Sequence, residues 1–203
     1  MSSSRPARTT VIRMSTMPVP TIETERLLLR QWCPDDREPF AALNADADVM
    51  EHFPCTLTRA ESDQMVDVIA DVLVEKGRGL WATEVKETRQ FVGFIGLSSP
   101  RWRTWFTPCV EIGWRLAKDA WGHGYAPEGA RAALAFGFRH VELPNDEIVS
   151  FTTEANMKSR RVMDKIGLVR DQARDFDHPE LPDWSGRRHV LYSIDRNGWL
   201  TRA

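Results

Sequence analysis

Between positions 121 and 128 the chain reads Trp-Gly-His-Gly-Tyr-Ala-Pro-Glu, and residue types in this order can hold an anion. Gly122 and Gly124, one residue apart, let the backbone turn sharply and lie close to a ligand. Ala126-Pro127 then starts an alanine-rich helical pattern, at a position where a first helical turn accepts proline. The first N–H groups of a helix lack intrahelical partners and carry a partial positive charge, so phosphate or pyrophosphate is the natural guest. Two phosphate loops are excluded: a P-loop ends in Gly-Lys-Ser/Thr, and a Rossmann turn needs a third glycine where this chain has Pro127. A Gly-x-Gly alone also fits a plain structural turn, so the elements around it decide.

The loop is entered from a strand-like run at 110–116, which makes the unit strand, glycine loop, helix. Upstream, 26–32 reads as a first strand and Asp35 as the cap of a short helix whose third residue is Glu38. Thr58 and Glu61 form a capping box for a second helix, with Met65, Val68, Ile69, Val72 and Leu73 as its core stripe. Runs 80–86 and 91–98 are strands joined by a polar hairpin connection, with Gly93 and Gly96 marking bulges or close packing. The aromatic segment 102–106 reads either as a cleft floor or oligomer contact, or as a loop folded over the core. Downstream come a helix over 126–141 with Ala130, Leu134, Gly137, Phe138 and Val141 inward, and a strand over 147–153. A helix opened at 156–159 and ended by Gly167 follows, then strands 168–174 and 188–195 around an acidic loop.

A length of 203 residues supports one well-buried core, assigned to a single domain over 21–198. Residues 1–20 carry Arg5, Arg8 and Arg13 with no acid and read as a disordered extension. A net charge of −2 gives no general basic field and argues against nucleic acid as partner. Cys33, Cys55 and Cys109 are odd in number and widely spaced, which argues against a disulfide framework or structural zinc and fits a reducing cytoplasm. No apolar stretch approaches a membrane span, so no membrane partner is expected.

The strand, glycine loop and helix resemble the pyrophosphate site of the GNAT N-acetyltransferases, whose pattern is Arg/Gln-x-x-Gly-x-Gly/Ala. Asp119 stands at the first position and departs from it. Trp121-Gly122-His123-Gly124-Tyr125-Ala126 followed by Glu128 resembles the RimJ/RimL branch, which acetylates ribosomal-protein N-termini, as does the opening at 21–27. A second motif of that family is matched at the expected distance by Glu154-Ala155-Asn156, Ser159, Val162, Lys165 and Gly167-Leu168. The resemblance covers roughly residues 22–195. It implies an α+β (α/β) fold with a mixed, mostly antiparallel sheet, flanking helices and one splayed strand pair.

It also implies an acetyl-CoA-dependent N-acetyltransferase working by direct attack in a ternary complex, without a metal. Ile112, Trp114 and Leu116 would meet the pantetheine arm, Gly122, His123, Gly124, Tyr125 and Ala126 the pyrophosphate, and Asn156 and Ser159 the coenzyme arm. Lys118, Arg131, Lys158 and Arg160 are candidate charge partners, though an ordinary solvated charge is the more usual reading of each. An amine attacks a thioester only when neutral, so a base is needed. Glu111 is the first candidate, with a structural role as its counter-reading, and His178 is the second. The family often protonates the leaving thiolate with a tyrosine where this chain has Met163, which leaves Ser159 or water; Ser159 reads equally as a helix-start residue. A backbone N–H near Trp114 would hold the oxyanion. The acceptor is an amine on a protein N-terminus or a small molecule, and acids between Asp171 and Asp183 are candidates to attract it. A second copy of the chain is a candidate partner through 102–106. A non-catalytic acyl-CoA-binding or sensing module is the alternative function.

Overall fold

The computed structural model describes residues 19–201. β1 (Ile22–Glu23) and β2 (Leu27–Arg30) precede two helices, α1 (Arg37–Ala45) and α2 (Arg59–Lys76). β3 (Leu80–Val85) and β4 (Gln90–Ser98) form a hairpin, and β5 (Glu111–Leu116) runs through the glycine loop into α3 (Tyr125–His140). β6 (Glu147–Thr153) and α4 (Met157–Lys165) follow, then β7 (Val169–Arg170), β8 (Phe176–Asp177), β9 (Arg188–Asp195) and α5 (Arg196–Leu200). The strands form one sheet in the order β1-β2-β3-β4-β5-β6-β9-β7, with β8 on β9. Every pairing is antiparallel except β5 with β6, so the mixed, mostly antiparallel sheet is the one the sequence reading expects.

Local chemistry explains the elements that frame the cleft. Thr58 Oγ1 accepts from the Glu61 N–H at 3.3 Å while the Glu61 carboxylate accepts from the Thr58 N–H at 2.8 Å, so the capping box starts α2. Small residues let α3 lie close to the sheet: a Cβ on Gly129 would stand 2.5 Å from Ile95, and one on Gly137 2.8 Å from Ile148. Ile95 and Leu97 are cross-strand partners of Trp114 and Ile112, so α3 covers the face of β5 that carries those two residues. Phe94, the partner of Arg115, packs edge-on to Phe40 of α1 at 6.0 Å, so α1 lies on the opposite face. Glu111, Gly113 and Arg115 share that second face.

Several expectations are corrected. Apart from Val19 and Pro20, the proposed extension lies outside the described residues; Val19 packs on the core and the Pro20 carbonyl accepts from Trp81 Nε1 at 2.8 Å. The start of α1 is organised by Asp36, whose buried carboxylate accepts from Arg30 at 2.8 and 2.9 Å and from the Cys33 N–H at 2.8 Å. Helix α2 buries Ser62, Val66, Ile69 and Leu73, and Val68 is 50% exposed. A polar contact sets this rotation: Asn44 Nδ2 donates to Ser62 Oγ at 2.9 Å inside the α1–α2 interface, and an apolar count cannot register it. The strand expected over 168–174 shrinks to β7, because Asp171 accepts from the Ala173 N–H and turns the chain into a short 3₁₀ segment. β8 and α5 were absent from the sequence reading. Within the aromatic segment, Trp102 and Phe106 fold over the sheet end against Phe151 and Phe176, whereas Trp105 is 61% exposed.

Candidate active site

β5 and β6 share a single pair, Glu111 with Val149. The Val149 N–H donates to the Val110 carbonyl at 2.9 Å, and Ser150 Oγ donates to the Ile112 carbonyl at 2.8 Å. Beyond that rung the strands separate. The Leu116 carbonyl, at the far end of the gap, accepts from Trp121 Nε1 at 2.9 Å. By the two-residue repeat of a strand, Trp114 turns its N–H and C=O to the same side as those of Ile112 and Leu116, into the gap. The resulting cleft has a volume of about 620 Å³ and is lined by β5, the glycine loop, α4, the chain following α1 and the loop before β9.

Gly122 (φ +81°) and Gly124 (φ +79°) adopt left-handed backbone conformations and deliver the chain into α3. The first helical bond at this end runs from the Glu128 N–H to the Gly124 carbonyl at 3.2 Å, which leaves the earlier amides of Tyr125 and Ala126 without an intrahelical partner. Arg26 steadies the loop, donating through Nη1 to the His123 carbonyl at 2.9 Å and through Nε to the Glu128 carboxylate at 2.7 Å. Thr24 Oγ1 also donates to Glu128, at 2.6 Å. The sequence reading missed Arg26, which brings a cation to the loop. Asp119 is exposed, accepts from Gln90 Nε2 at 3.4 Å and lies off the cleft.

Glu111 stands at the last paired rung, where the gap opens. Ser98 Oγ, at the end of β4, donates to its carboxylate at 2.9 Å. Burial pushes the Glu111 carboxyl up to about 7, against the Ser98 hydrogen bond, which favours the charged form. A carboxyl group titrating there suits proton transfer near neutrality. Ser98 escaped the sequence reading; the pairing of two strand ends carries the signal, and it needs the register.

His178 lines the cleft with a second imidazole, His189, at a ring separation of 5.4 Å. Burial lowers the pKa of both, which favours the neutral rings. His178 Nδ1 accepts from the Glu180 N–H at 3.3 Å, and His189 Nδ1 lies 2.8 Å from the Arg187 carbonyl, which assigns that nitrogen the proton. His189 was missed because it reads as an ordinary residue of an alternating strand.

Asn156 and Ser159 both line the cleft, and the cap falls on Asn156. Its Oδ1 accepts from the Ser159 N–H at 3.1 Å and its Nδ2 donates to Thr152 Oγ1 at 2.9 Å, so Asn156 is the cap and Ser159 stands in the first turn of α4. The Ser159 hydroxyl makes no hydrogen bond among the described residues, and Met163 lies buried beside it on the cleft wall. Trp114, Leu116, Gly122, Gly124, Tyr125 and Ala126 also line the cleft. Ile112 and His123 do not: Ile112 is fully buried, and the His123 ring is exposed, stacked on Tyr125 at 5.4 Å. Lys158 reaches the cleft and sits 4.1 Å over the Trp121 ring. Lys118 pairs with Asp48, while Arg131 and Arg160 donate to backbone carbonyls. The acidic cluster faces elsewhere, with Asp175 on Arg170 and Asp177 beside Arg187 and Arg188.

Residues 26–169 match the family model described as an acetyltransferase (GNAT) domain. The chain belongs to the GNAT acetyltransferases. It is similar to FsC-acetyl coenzyme A-N(2)-transacetylase of Aspergillus fumigatus, with 30% identity over 188 residues, covering 89% of this chain and 78% of that one. The uncharacterized N-acetyltransferase YoaA of Bacillus subtilis is 29% identical over 75% of this chain and 84% of its own length. Among solved structures, a GNAT-family acetyltransferase from Bacillus anthracis superposes with a TM-score of 0.71 at 27% identity, over 87% of this chain and 99% of that one. The splayed strands and glycine loop thus belong to a GNAT enzyme, an N-acetyltransferase. No group of three or more His, Cys, Asp or Glu among the described residues is placed to hold a metal.

Proposed function

We propose that the enzyme transfers an acetyl group from acetyl-CoA to a primary amine by direct attack in a ternary complex, with Glu111 as the base. The observation that carries this is the Glu111 carboxylate, half-buried on the cleft wall and held by Ser98 where β5 and β6 part. The unpartnered amides at the start of α3 fit a pyrophosphate, and the Trp114 peptide groups turned into the gap fit an amide-bearing arm. Acetyl-CoA supplies the activated acyl group. Glu111 takes a proton from the acceptor ammonium, directly or through a water, and frees the nitrogen lone pair. Trp114 N–H donates to the carbonyl oxygen as charge builds there during attack. When the carbon–sulfur bond breaks, the second proton of the attacking nitrogen reaches the departing thiolate through the Ser159 hydroxyl or a water, which gives up one proton as it takes the other. His178 stands as the second candidate base.

The acceptor is an amine of a protein N-terminus or a small molecule. We assign the chain to the RimJ/RimL type on the motif around the glycine loop, and to the cytoplasm on its free cysteines, two of them exposed. Among the described residues no helix is long and apolar enough to cross a membrane. Calorimetric titration with acetyl-CoA, followed by thiol release on adding peptide and small-amine acceptors, tests the reading. Release that requires both partners supports it. Coenzyme binding without release from any amine would indicate a binding module instead.

A further inference from the structure

Arg115 is the buried cation of the cleft, and among the described residues no carboxylate pairs with it; Arg161 and Lys165, which also line the cleft without an ion pair, are exposed to solvent. Its side chain is 9% exposed and lines the cleft. Nη1 donates to Asn44 Oδ1 at 2.6 Å and lies 3.9 Å from Met65 Sδ, while the guanidinium carbon stands 4.2 Å from the Phe53 ring centroid and 5.6 Å from that of Phe94. Among the described residues, the buried Nε has no hydrogen-bond partner and no carboxylate comes within ion-pair distance. An amide oxygen and two aromatic faces support a guanidinium but do not neutralise it. Burial alone pushes its pKa down to about 10, so it stays charged at neutral pH. Arg30, which is less enclosed, is by contrast matched by two carboxylates, Asp36 and Glu84. A buried cation without an anion is costly, and the cost falls when a ligand brings one.

The place of Arg115 says which ligand. It shares a β5 face with Glu111 and Gly113, on the side of α1 and away from the face that α3 covers. A Cβ on Gly113 would meet only the Glu111 carboxylate, at 4.0 Å, so the face is open between the two charged residues. Four residue steps of strand lead from Glu111 to Arg115, about 13 Å along the chain.

We propose that Arg115 recognises an anionic group, a carboxylate, on the acceptor, so that the preferred substrate is an amine with a carboxylate several bonds from the reacting nitrogen. This rests on the amine-acetylation reading above and adds the acceptor class. The test uses glycine peptides of one to four residues, each as the free acid and as the C-terminal amide. Acetylation of each is followed by thiol release, and binding of each to the CoA-loaded enzyme by calorimetry. The longer acids should exceed their amides by about tenfold or more in kcat/KM and in affinity, as expected for a charge-assisted hydrogen bond. Arg115→Gln should remove that preference, bringing each acid down to its amide, while CoA affinity stays unchanged, and Arg115→Lys should keep part of it. Unchanged CoA affinity in Arg115→Gln shows that the variant folds. Acids and amides used equally well, a preference that survives Arg115→Gln, or no binding of any acid would overturn the proposal. Loss of CoA binding in Arg115→Gln with Arg115→Lys intact would assign the cation to a coenzyme phosphate and also overturn it. Arg115-dependent acid binding without acetylation of any amine would instead contradict the transferase reading and leave the anion site standing.

Discussion

Glu111 carries two opposing demands, and both are measurable. It must be ionised to accept a proton, yet burial holds its carboxyl at about 7 rather than the ordinary 4.5. The rising limb of kcat/KM against pH should therefore have an apparent pKa near 7. Ser98→Ala removes a donor to the charged form and should move that limb to higher pH. Replacing Glu111 by Gln should lower kcat/KM by about 10²–10⁴-fold at neutral pH. His178→Gln should leave the limb where it is; its disappearance in that variant would transfer the role to His178. Stability follows with a fixed sign. Because the folded pKa lies above the unfolded one, the stability from this group is full below about 4.5 and is lost as pH rises through 7. Glu111→Gln should match wild type in urea denaturation at pH 4.5 and exceed it at pH 8, by a difference on the order of 2 kcal/mol. The same residue shows how far sequence reaches. Glu111 stood out because its strand leads into the glycine loop, whereas Ser98 and Arg115 acquire meaning only through cross-strand register and the helix above them.

Among elements, the glycine loop and the α4 start were legible because turn and capping chemistry are local. Gly122, Gly124 and Pro127 specify the loop within six residues, and Asn156 caps α4 three residues before its bonding partner. Asn156→Ala should cost about 1 kcal/mol in denaturation and weaken acetyl-CoA binding, since the same side chain ties α4 to β6 through Thr152. Arg26 contacts the loop across 97 residues of sequence, which no local pattern encodes. The face of α2 was misjudged by one residue because the buried Asn44–Ser62 hydrogen bond outweighs the apolar stripe. Gly96 gives the sharpest element-scale test: a Cβ there would stand 2.1 Å from the Gly79 carbonyl oxygen and 2.8 Å from the Trp81 ring. Gly96→Ala should destabilise the β3–β4 hairpin by about 2–3 kcal/mol, read from the urea midpoint.

For the molecule as a whole, the order of the main elements from β2 to α4 was readable in the sequence, and the splay of β5 from β6 was what the family resemblance of two motifs implied; β8 and α5 were not readable. The back of the cleft was less legible. The loop between β8 and β9, which brings His178 into the site, is held by ring packing of Trp102, His178 and His189 drawn from three separate parts of the chain. The most direct test of the account is acceptor-dependent thiol release from acetyl-CoA across pH 5.5–9, in wild type and Glu111→Gln side by side. The account predicts release only when coenzyme and amine are both present, rising through an apparent pKa near 7 in wild type, with that limb lost in the variant. An identical profile and turnover in the two proteins would contradict it.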